Sequence, residues 1–434
     1  MAMQSLLMII GILAVLLVVG VPISYSIGIA SLVTILQTVP LDISVVTGAQ
    51  RIFVGMSKFS LTAIPFFILA GNLMNQGGIA KRLVNFVMAI LGKLPGALLV
   101  TNVGANALFG AISGSASAAA AAVGSMVREG EEEQGYDKDL CAATNGASAP
   151  SGLLIPPSNA LITYSLAAGG TSVAALFMAG YLPGVIWALC CIAVAIILAK
   201  KKGYKGTPGK FSWASPGPRP PSQALPSLSL IVVVIGGIVA GVFSATEGSA
   251  IAVIYSLILG ICYRNITLKS FWKIVVESAK MSGMVVFLIG VSNILGWVMA
   301  FLQIPQAVSA LLLGITDNPI IILLIMNLIL LVAGTFMDVT PAILIFTPLF
   351  LPIVQTFGMD PIHFGLVLVY NLCIGNITPP VGNTLFVAIK VGRSTLSKTM
   401  PYMLWYYVAI LVGLLLVTYI PAVSMILPQL TGLA

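Results

Sequence analysis

Long apolar runs follow one another along the whole of this 434-residue chain. Each run is long enough to cross a bilayer as a helix, or to form the middle of such a span. Charged residues make up only 7% of the chain, whereas a soluble protein has about 25%. Two-residue alternation is absent, so the runs indicate helices, and the sequence predicts an all-α polytopic membrane protein. The clearest runs are Leu6–Val21, Ile23–Ile35, Ile64–Met74, Val84–Leu108, Leu153–Leu166, Ala174–Ala199, Leu228–Phe243, Ala250–Cys262, Met284–Phe301, Ile320–Ala333 and Met403–Leu427.

The net charge of +8 comes largely from basic residues in loops beside the apolar runs. This placement is typical of a protein whose surroundings are a lipid bilayer, and it argues against a nucleic-acid partner. One basic cluster lies in Lys200–Pro220, and the other consists of Arg264, Lys269, Lys273 and Lys280. The positive-inside rule predicts that both are cytoplasmic. Two apolar runs separate them, so the two assignments agree.

A polar stretch rich in Gly, Pro, Ser and Lys divides the chain into two parts of similar length. Its composition predicts a cytoplasmic linker. The predicted organisation is therefore a first half at residues 1–199, a linker at 200–226 and a second half at 227–434. We interpret Leu6–Val21 as a first span, because it lacks the basic leader and small-residue cleavage site of a removed signal.

Each half contains a Pro-Pro pair inside an apolar segment. The first-half segment is "GLLIPPSNALIT" (Gly152–Thr163), and the second-half segment is "GNITPPVGNTLF" (Gly375–Phe386). Each follows, at a similar distance, another interruption, at Gly110–Ser125 and at Gly334–Pro352. The pattern predicts an internal repeat. Its broken helices are predicted at residues 145–159 and 375–384.

Helices broken at corresponding positions of two halves indicate a transport site near the middle of the bilayer. A single Pro-Pro pair is also compatible with a simple kink between packed helices. The ends of broken helices present free N–H and C=O groups with partial charges. Carbonyl groups there can coordinate a cation while amides face an anion, which explains why Gly, Pro, Ser, Thr and Asn occur at this depth.

The two earlier interruptions are predicted to be re-entrant hairpins. Ser113–Ser115 is a candidate tip with a helix N-cap, although the alanines that follow also suit a helix–helix interface. Asp338 and Thr340 lie in the second hairpin. An acidic residue inside an apolar region is a functional candidate, and the alternative is a helix N-cap without a transport role. Glu247 lies in a short turn and is interpreted as a loop or cap residue.

At these motifs the sequence resembles the large membrane subunit of the tripartite ATP-independent periplasmic (TRAP) transporters. The resemblance covers nearly the whole chain. Its most specific part is Gly334–Ala388, in which "GMDPIHFG" is followed by "GNITPPVG". Further specific parts are "GLLIPPSNALITY" (Gly152–Tyr164), "SGSASA" (Ser113–Ala118) and "IPFFILAGNLM" (Ile64–Met74).

The resemblance implies about eleven spans and two re-entrant hairpins in an inverted repeat, an elevator-type ion transporter fold. It also implies sodium-coupled uptake of an organic acid such as a dicarboxylate, sialic acid or another sugar acid across the bacterial inner membrane. Na⁺ is the expected coupling ion. The expected partners are a periplasmic substrate-binding protein and a small four-span membrane subunit that widens the scaffold.

Carried onto this chain, the resemblance places one sodium site where the first hairpin tip meets the first broken helix. The other lies where the second hairpin meets the second broken helix, and the substrate lies between the two tips. The sodium-site candidates are Ser113, Gly114, Ser115, Asn145, Gly146, Gly152, Pro156, Gly334, Asp338, Thr340, Gly375, Thr378 and Pro379. The substrate-site candidates are Ser117, Pro157, Ser158, Asn159, Asn376, Pro380, Asn383 and Thr384.

Two segments depart from the family's pattern. Many members carry an acidic residue a few positions after the first tip, where this chain has Ala116–Ala122. After the first hairpin the family often has a Pro-Glu-Met-like run, whereas this chain reads "VREGEEEQGYDKD" (Val127–Asp139). We expect the second departure to be a charged, solvated loop.

Three alternatives to a three-component permease remain open at this point. The first is a stand-alone ion-coupled anion transporter, and the second is a passive channel. The third, an intramembrane enzyme, needs placed acid–base groups or a metal, yet the chain has a single histidine, His363, and no acidic partner for Asp338 in an apolar run. Lys390 and Arg393 are interpreted as interfacial anchors, with substrate contact as the alternative.

Overall fold

The structure is a computed structural model that describes residues 2–206 and 225–433. Within those residues the secondary structure is helical and contains no strand, which confirms the all-α class. Of the predicted linker, residues 207–224 lie outside the described residues. The helix before the linker ends at Lys201, and the helix after it begins at Leu225.

Residues 2–206 form eleven α-helices and a 3₁₀ turn, Phe59–Thr62. The helices are α1 (Ala2–Val18), α2 (Ile23–Ile35), α3 (Leu41–Met56), α4 (Ala63–Gln76), α5 (Ile79–Leu91), α6 (Ala97–Ser113), α7 (Ala116–Glu133), α8 (Lys138–Ser148), α9 (Ser151–Leu154), α10 (Asn159–Ala167) and α11 (Val173–Lys201).

Residues 225–433 form ten more helices. They are α12 (Leu225–Val239), α13 (Ala245–Cys262), α14 (Leu268–Phe301), α15 (Ile304–Ile315), α16 (Pro319–Gly334), α17 (Val339–Thr356), α18 (Pro361–Gly375), α19 (Asn383–Val391), α20 (Leu396–Tyr419) and α21 (Ala422–Leu430). Glu247 completes a capping box with Ser244 at the start of α13, which confirms that it is a cap residue.

Five of the described helices are long and apolar enough to cross a membrane, namely α11, α13, α14, α17 and α20. A sixth span is possible if α3 and the segment Phe59–Gln76, which meet at 59°, are counted together. Several shorter apolar helices accompany them. The chain is thus a multi-pass membrane protein, and the predicted count of about eleven spans stays a prediction.

The apolar run Val84–Leu108, which suggested one helix, contains two. α5 ends at Leu91 and α6 starts at Ala97. The intervening segment contains Pro95, which lacks an N–H donor, and Gly96, whose φ of +70° is a left-handed conformation that favours glycine. Hydropathy does not register this break because the residues around it are apolar.

The described helices pack as two groups. The scaffold group contains α1–α4 and α12–α15, in which α13 packs on α4 and α14 packs on α2, α3 and α4. The core group contains α5–α11 and α16–α21, in which α6 packs on α5, α7 and α9, and α18 packs on α16 and α17. The two groups meet where α14 and α15 contact α17 and where α4 contacts α6, with smaller contacts of α4 with α5 and α10 and of α12 with α11.

Within the core group the two halves of the chain interlock. α19 of the second half packs against α7 and α8 of the first, and α10 packs against α17. Arg128 of α7 donates a hydrogen bond to the carbonyl of Val391 at 3.2 Å, and the Tyr164 hydroxyl donates to the carbonyl of Pro361. Each broken helix is therefore held in part by the opposite half.

Hairpin and broken helix touch through glycine in both halves. A Cβ added at Gly110 would lie 2.7 Å from the Cα of Gly152, and a Cβ added at Gly375 would lie 2.5 Å from the Cα of Gly334. No side chain fits at such distances, so these glycines permit direct backbone approach. The first contact joins α6 to α9 and the second joins α16 to α18, which are equivalent elements of the predicted repeat.

The expectation that Val127–Asp139 is a solvated loop is wrong. α7 continues to Glu133, and Glu131 is only 5% exposed. Glu131 follows Val123 and Val127 at four-residue spacing, so it lies on the buried face of the helix. Its carboxyl lies beside the Cys141 thiol and the Asn102 amide, and burial raises the pKa of this carboxyl to about 7.

This burial predicts a pH-dependent stability. Between the ordinary Glu pKa of about 4.5 and the raised value of about 7 the folded protein keeps a proton that the unfolded chain releases. The free energy of unfolding should therefore fall by on the order of 3 kcal/mol as pH rises through that window, then level off. Denaturation of the purified protein at pH 5, 6, 7 and 8 measures it.

Glu131→Gln removes the titrating group, so its stability should change much less over the same range. Glu129→Gln, an exposed neighbour on α7, is the matched control and should behave as the wild type. Parallel pH curves for Glu131→Gln and wild type would show that Glu131 does not carry the effect.

Candidate functional site

A cavity of about 600 Å³ lies where the two hairpin turns meet the two broken helices. We call it the tip cavity. It is bounded by both halves of the core group and, on one side, by α4 and α14 of the scaffold group. Its lining residues are Ile64, Ile68, Gly114, Ser115, Ala116, Ser117, Leu153, Asn159, Ala160, Thr163, Met281, Val285, Asp338, Val339, Thr340, Asn376, Asn383, Phe386, Val387 and Lys390.

The first hairpin turn consists of Ser113, Gly114 and Ser115. Gly114 has a φ of +62° and ends α6, and this conformation reverses the chain within a single residue. Ser115 is the N-cap of α7, as predicted, and its Oγ accepts a hydrogen bond from the Ala118 amide at 3.3 Å. The turn leaves the first residues of α7 at the cavity wall.

The first broken helix supplies another helix start. After the Pro156–Pro157 pair, Ser158 caps α10, and its Oγ accepts a hydrogen bond from the Leu161 amide at 3.3 Å. Asn159 is the first residue of α10 and reaches the hairpin turn, since a Cβ at Gly114 would lie 2.7 Å from Asn159 Nδ2. Hairpin and broken helix are thus in direct contact at the cavity.

In the second hairpin, Asp338 is the N-cap of α17. Its Oδ1 accepts a hydrogen bond from the Val339 amide at 2.9 Å, while the side chain remains exposed at the cavity. The capping interpretation of Asp338 is therefore confirmed. A role in transport is compatible with it, because one carboxylate oxygen suffices for the cap.

The second broken helix turns back on itself between Gly375 and Asn383. The Val381 amide donates to the carbonyl of Thr335 at 3.2 Å, which fastens the turn to the second hairpin. The Thr384 amide donates to the carbonyl of Asn376, also at 3.2 Å. These bonds satisfy backbone groups that the interruption of the helix leaves without intrahelical partners.

Four helix N-termini therefore converge on the tip cavity, those of α7, α10, α17 and α19. The N-terminus of a helix carries a partial positive charge and unpaired amides. The charged side chains in the lining are Asp338 and Lys390, one of each sign. The two side-chain charges therefore cancel, and the partial positive charges of the four helix N-termini favour an anionic group.

The structure brings about two-fifths of the predicted site residues to the cavity. From the sodium-site candidates these are Gly114, Ser115, Asp338 and Thr340, and from the substrate-site candidates they are Ser117, Asn159, Asn376 and Asn383. The other candidates do not line it. They are Ser113, Asn145, Gly146, Gly152, Pro156, Gly334, Gly375, Thr378 and Pro379 for sodium, and Pro157, Ser158, Pro380 and Thr384 for substrate.

Several of the candidates that do not line the cavity lie in other surroundings. Pro157 borders a small apolar gap beside α4 and α13. Thr378 Oγ1 donates to the Ile374 carbonyl at 2.7 Å, and Asn145 Nδ2 donates to the Ala120 carbonyl at 2.8 Å. Thr384 is fully buried, and its Oγ1 has no hydrogen-bond partner among the described residues.

Buried asparagines, of which only Asn145 was predicted from the sequence, connect each hairpin to its broken helix. In the first half Asn106 Nδ2 lies 2.9 Å from both Asn145 Oδ1 and Ser148 Oγ and 2.7 Å from Asn102 Oδ1. In the second half Asn371 Nδ2 donates to Asn327 Oδ1 at 2.8 Å. An asparagine inside an apolar run is itself a sequence signal of a buried polar contact.

Comparison with known proteins identifies the chain. A family model described as "Tripartite ATP-independent periplasmic transporter, DctM component" matches residues 10–423. The chain belongs to this family. The resemblance in the sequence is thereby confirmed, and because TRAP permeases are transporters, an intramembrane enzyme is excluded.

Curated relatives match over nearly the whole TRAP permease chain. The uncharacterized protein YgiK of Salmonella typhimurium is 48% identical over 97% of this chain and 96% of its own length. The isethionate TRAP transporter permease protein DctMQ of Oleidesulfovibrio alaskensis is 39% identical over 96% of this chain and 65% of its own length. The C4-dicarboxylate TRAP transporter large permease protein DctM of Rhodobacter capsulatus is 36% identical over 99% of this chain and 100% of its own length.

A solved structure has a similar fold. The YdaH transporter of Alcanivorax borkumensis superposes with a TM-score of 0.62 at 14% sequence identity. The match covers 85% of this chain and 86% of the other. The helical architecture of this TRAP permease is therefore shared with another transporter.

The Asn106 cluster predicts a stability effect. Asn106→Ala removes an amide group that can donate to two of the three buried oxygens around it, which should lower the free energy of unfolding by about 1–3 kcal/mol. Thermal unfolding of the purified protein measures this. Asn72→Ala is the control, because Asn72 donates a single bond to Ser278 Oγ in a half-buried position. Equal effects in the two variants would contradict a special role for the cluster.

Proposed function

We propose that this chain is the large permease subunit of a sodium-coupled TRAP transporter that imports an organic acid. The observation that carries the proposal is the convergence of four helix N-termini on the tip cavity of a member of this family. A carboxylate or sulfonate binds there to backbone amides and to polar side chains, as anions commonly do at helix N-termini. Asn159 and Asn383, from opposite halves, supply amide donors to the substrate.

The substrate class follows from the charge of the cavity and from the names of the relatives. The three named substrates among relatives are isethionate, C4-dicarboxylates and sialic acid, for the permeases of O. alaskensis, R. capsulatus and Vibrio cholerae. All three are small anions with polar groups. A volume of about 600 Å³ lies within the usual range for small-molecule sites, about 300–1,000 Å³.

We place a sodium ion in the second half, at Thr384. Na⁺ is a hard cation that takes oxygen ligands, by analogy with the preferences of Ca²⁺ and Mg²⁺. Thr384 Oγ1 is such an oxygen, buried beside the break at Asn376 and without a hydrogen-bond partner among the described residues. A buried hydroxyl without a partner is rare unless a ligand satisfies it. Carbonyl groups near Gly334 and Gly375 complete the proposed site.

The remaining parts of the proposal concern motion, partners and location. The core group carries the substrate and moves as an elevator against the scaffold group. A periplasmic binding protein delivers the substrate, and a small membrane subunit packs on the scaffold group in the bacterial inner membrane. The division of the described helices into two packing groups supports such a motion, since the helices of each group pack mainly on one another.

Reconstitution of the chain with its small partner in proteoliposomes tests the proposal. Labelled isethionate, succinate and sialic acid are offered with and without binding protein and with and without an inward sodium gradient. We expect at least one acid to accumulate, and only when both the binding protein and the inward sodium gradient are present. Uptake without the binding protein would favour the stand-alone transporter, and flux that ignores sodium would favour a channel.

Asn383→Ala should weaken substrate binding. Asn383 lines the tip cavity in the first turn of α19, so its loss removes one polar contact to a charged ligand, and KM should rise on the order of tenfold. Asn75→Ala, also in an apolar helix but away from the cavity, is the control. An unchanged KM in Asn383→Ala would remove this residue from the proposed site.

Thr384→Val should separate sodium binding from folding. It replaces the hydroxyl by a methyl group of similar volume, so the stabilisation of the wild type by NaCl relative to KCl should disappear. The sodium concentration for half-maximal uptake should rise on the order of tenfold. Thr356→Val is the control, because Thr356 Oγ1 already donates to the Ile353 carbonyl. A sodium-induced stabilisation that persists in Thr384→Val would contradict the assignment.

A further inference from the structure

A second polar cavity, of about 410 Å³, lies between the scaffold group and the core group. We call it the basic cavity. α3 and α14 form one wall, and the end of α10 with the middle of α17 forms the other. Its charged lining residues are Arg51 and Lys58, and it contains no acidic lining residue among those described. The lining is completed by Leu166, Ala167, Gly169, Ile289, Ser292, Asn293, Gly296, Trp297, Ala300, Leu344 and Pro348.

The basic cavity and the tip cavity lie on one face of α14. Met281 and Val285 line the tip cavity, and the residues that continue the same stripe line the basic cavity. Successive residues of the stripe are three or four positions apart, which keeps all of them on one side of a helix. From Met281 to Gly296 the helix rises by about 22 Å. The continuation of the stripe consists of Ile289, Ser292, Gly296 and Ala300.

The opposite wall is continuous in the same way. On α17, Thr340 lines the tip cavity, whereas Leu344 and Pro348 line the basic cavity. On α10, Thr163 lines the first and Leu166 the second. One helical turn separates the two cavities on each element. They are therefore two openings of a single seam between scaffold and core.

The basic cavity lies at the end of the seam remote from the lysine-rich loops. α14 begins next to Arg264 and Lys269, in the segment that the positive-inside rule predicts to be cytoplasmic, and the cavity lies over its other half. Arg51 and Lys58 are therefore not explained as cytoplasmic topology signals. Arg51 and Lys58 lie at the opposite end, where both side chains are exposed beside the basic cavity.

Neither basic side chain is neutralised within the described part of the chain. The ion pairs there involve other residues. The guanidinium of Arg51 lies 5.9 Å from the centre of the Trp297 ring, a cation–π distance that holds the side chain at the cavity, and Lys58 is exposed. Two unpaired cations beside apolar walls attract and concentrate anions.

We propose that the basic cavity is the vestibule through which the anionic substrate enters the seam, with Arg51 and Lys58 binding its carboxylate or sulfonate. This inference rests on the proposed function. The planar guanidinium of Arg51 can bind a carboxylate through two parallel hydrogen bonds, and the Lys58 ammonium adds a point charge. When the core group moves along α14, the tip cavity comes within reach of this anion.

Uptake kinetics of Arg51→Gln/Lys58→Gln in the reconstituted system test the inference. Labelled isethionate, succinate and sialic acid are the probes. We expect KM for the transported acid to rise on the order of tenfold, and to rise more at low ionic strength, where screening is weak. The maximal rate and the sodium concentration for half-maximal uptake should stay unchanged, because neither the residues of the tip cavity nor Thr384 line the basic cavity.

Two further variants control for folding and for net charge. Arg51→Lys/Lys58→Arg keeps both charges and should keep KM within about threefold of the wild type, a factor equivalent to well under 1 kcal/mol. Lys269→Gln removes an exposed charge at the opposite end of α14 and should leave KM unchanged. A rise in KM in Lys269→Gln equal to that in the neutral double variant would reduce the effect to net charge and overturn the inference.

The remaining outcomes distinguish this inference from the proposed function. If the wild type takes up an acid and the neutral double variant has the same KM, the vestibule is refuted and the proposed function stands. If the variant alters only the stability of the protein in phosphatidylglycerol bilayers, the pair binds a lipid phosphate and the inference is likewise refuted. If the complete wild-type system takes up none of the three acids, the proposed function fails and the vestibule fails with it.

Discussion

Every part of the tip cavity depends on one constraint, the need to satisfy backbone N–H and C=O groups where helices stop inside an apolar protein. An unsatisfied group there costs several kcal/mol. This chain meets the need locally with caps such as Ser115, Ser158 and Asp338, and between segments with bonds such as that from the Val381 amide to the Thr335 carbonyl. The four helix starts lie at the cavity wall, where the proposed organic acid would bind to their remaining amides.

The same constraint explains the residues behind the cavity wall. Glycine pairs bring hairpin and broken helix into backbone contact, and buried asparagines join the same elements through side-chain bonds. Both devices occur in each half. These contacts join each hairpin to its broken helix, so the interrupted helix keeps a defined position although its intrahelical hydrogen bonds are interrupted. Polar residues in the interior of this protein therefore serve mainly to fix geometry, and only a minority reach the cavity.

The fold class and the position of the interruptions follow from the sequence, because hydropathy, proline and glycine act locally. The helix caps at Ser115 and Glu247 were predictable for the same reason. Which candidates line the cavity was not, since this depends on how the two halves pack. Thr384 is adjacent in sequence to Asn383, yet one is fully buried and the other lines the cavity. The burial of Glu131 is indicated by its four-residue spacing from Val127, but the run of charged residues around it is typical of an exposed segment. The pairing of Arg51 with Trp297 joins α3 to α14 and has no local signal.

The interlock of the two halves has a consequence for any fragment of the protein. Because α19 rests on α7 and α8, and α10 rests on α17, each half supplies a wall that the other lacks. A fragment that ended in the linker would carry one hairpin, one broken helix and half of the cavity, with an apolar face left bare. Such a fragment could form the whole cavity only together with the other half of the chain. The two contributions differ chemically: both charged lining residues, Asp338 and Lys390, belong to the second half, so the cavity has one charged side and one uncharged side.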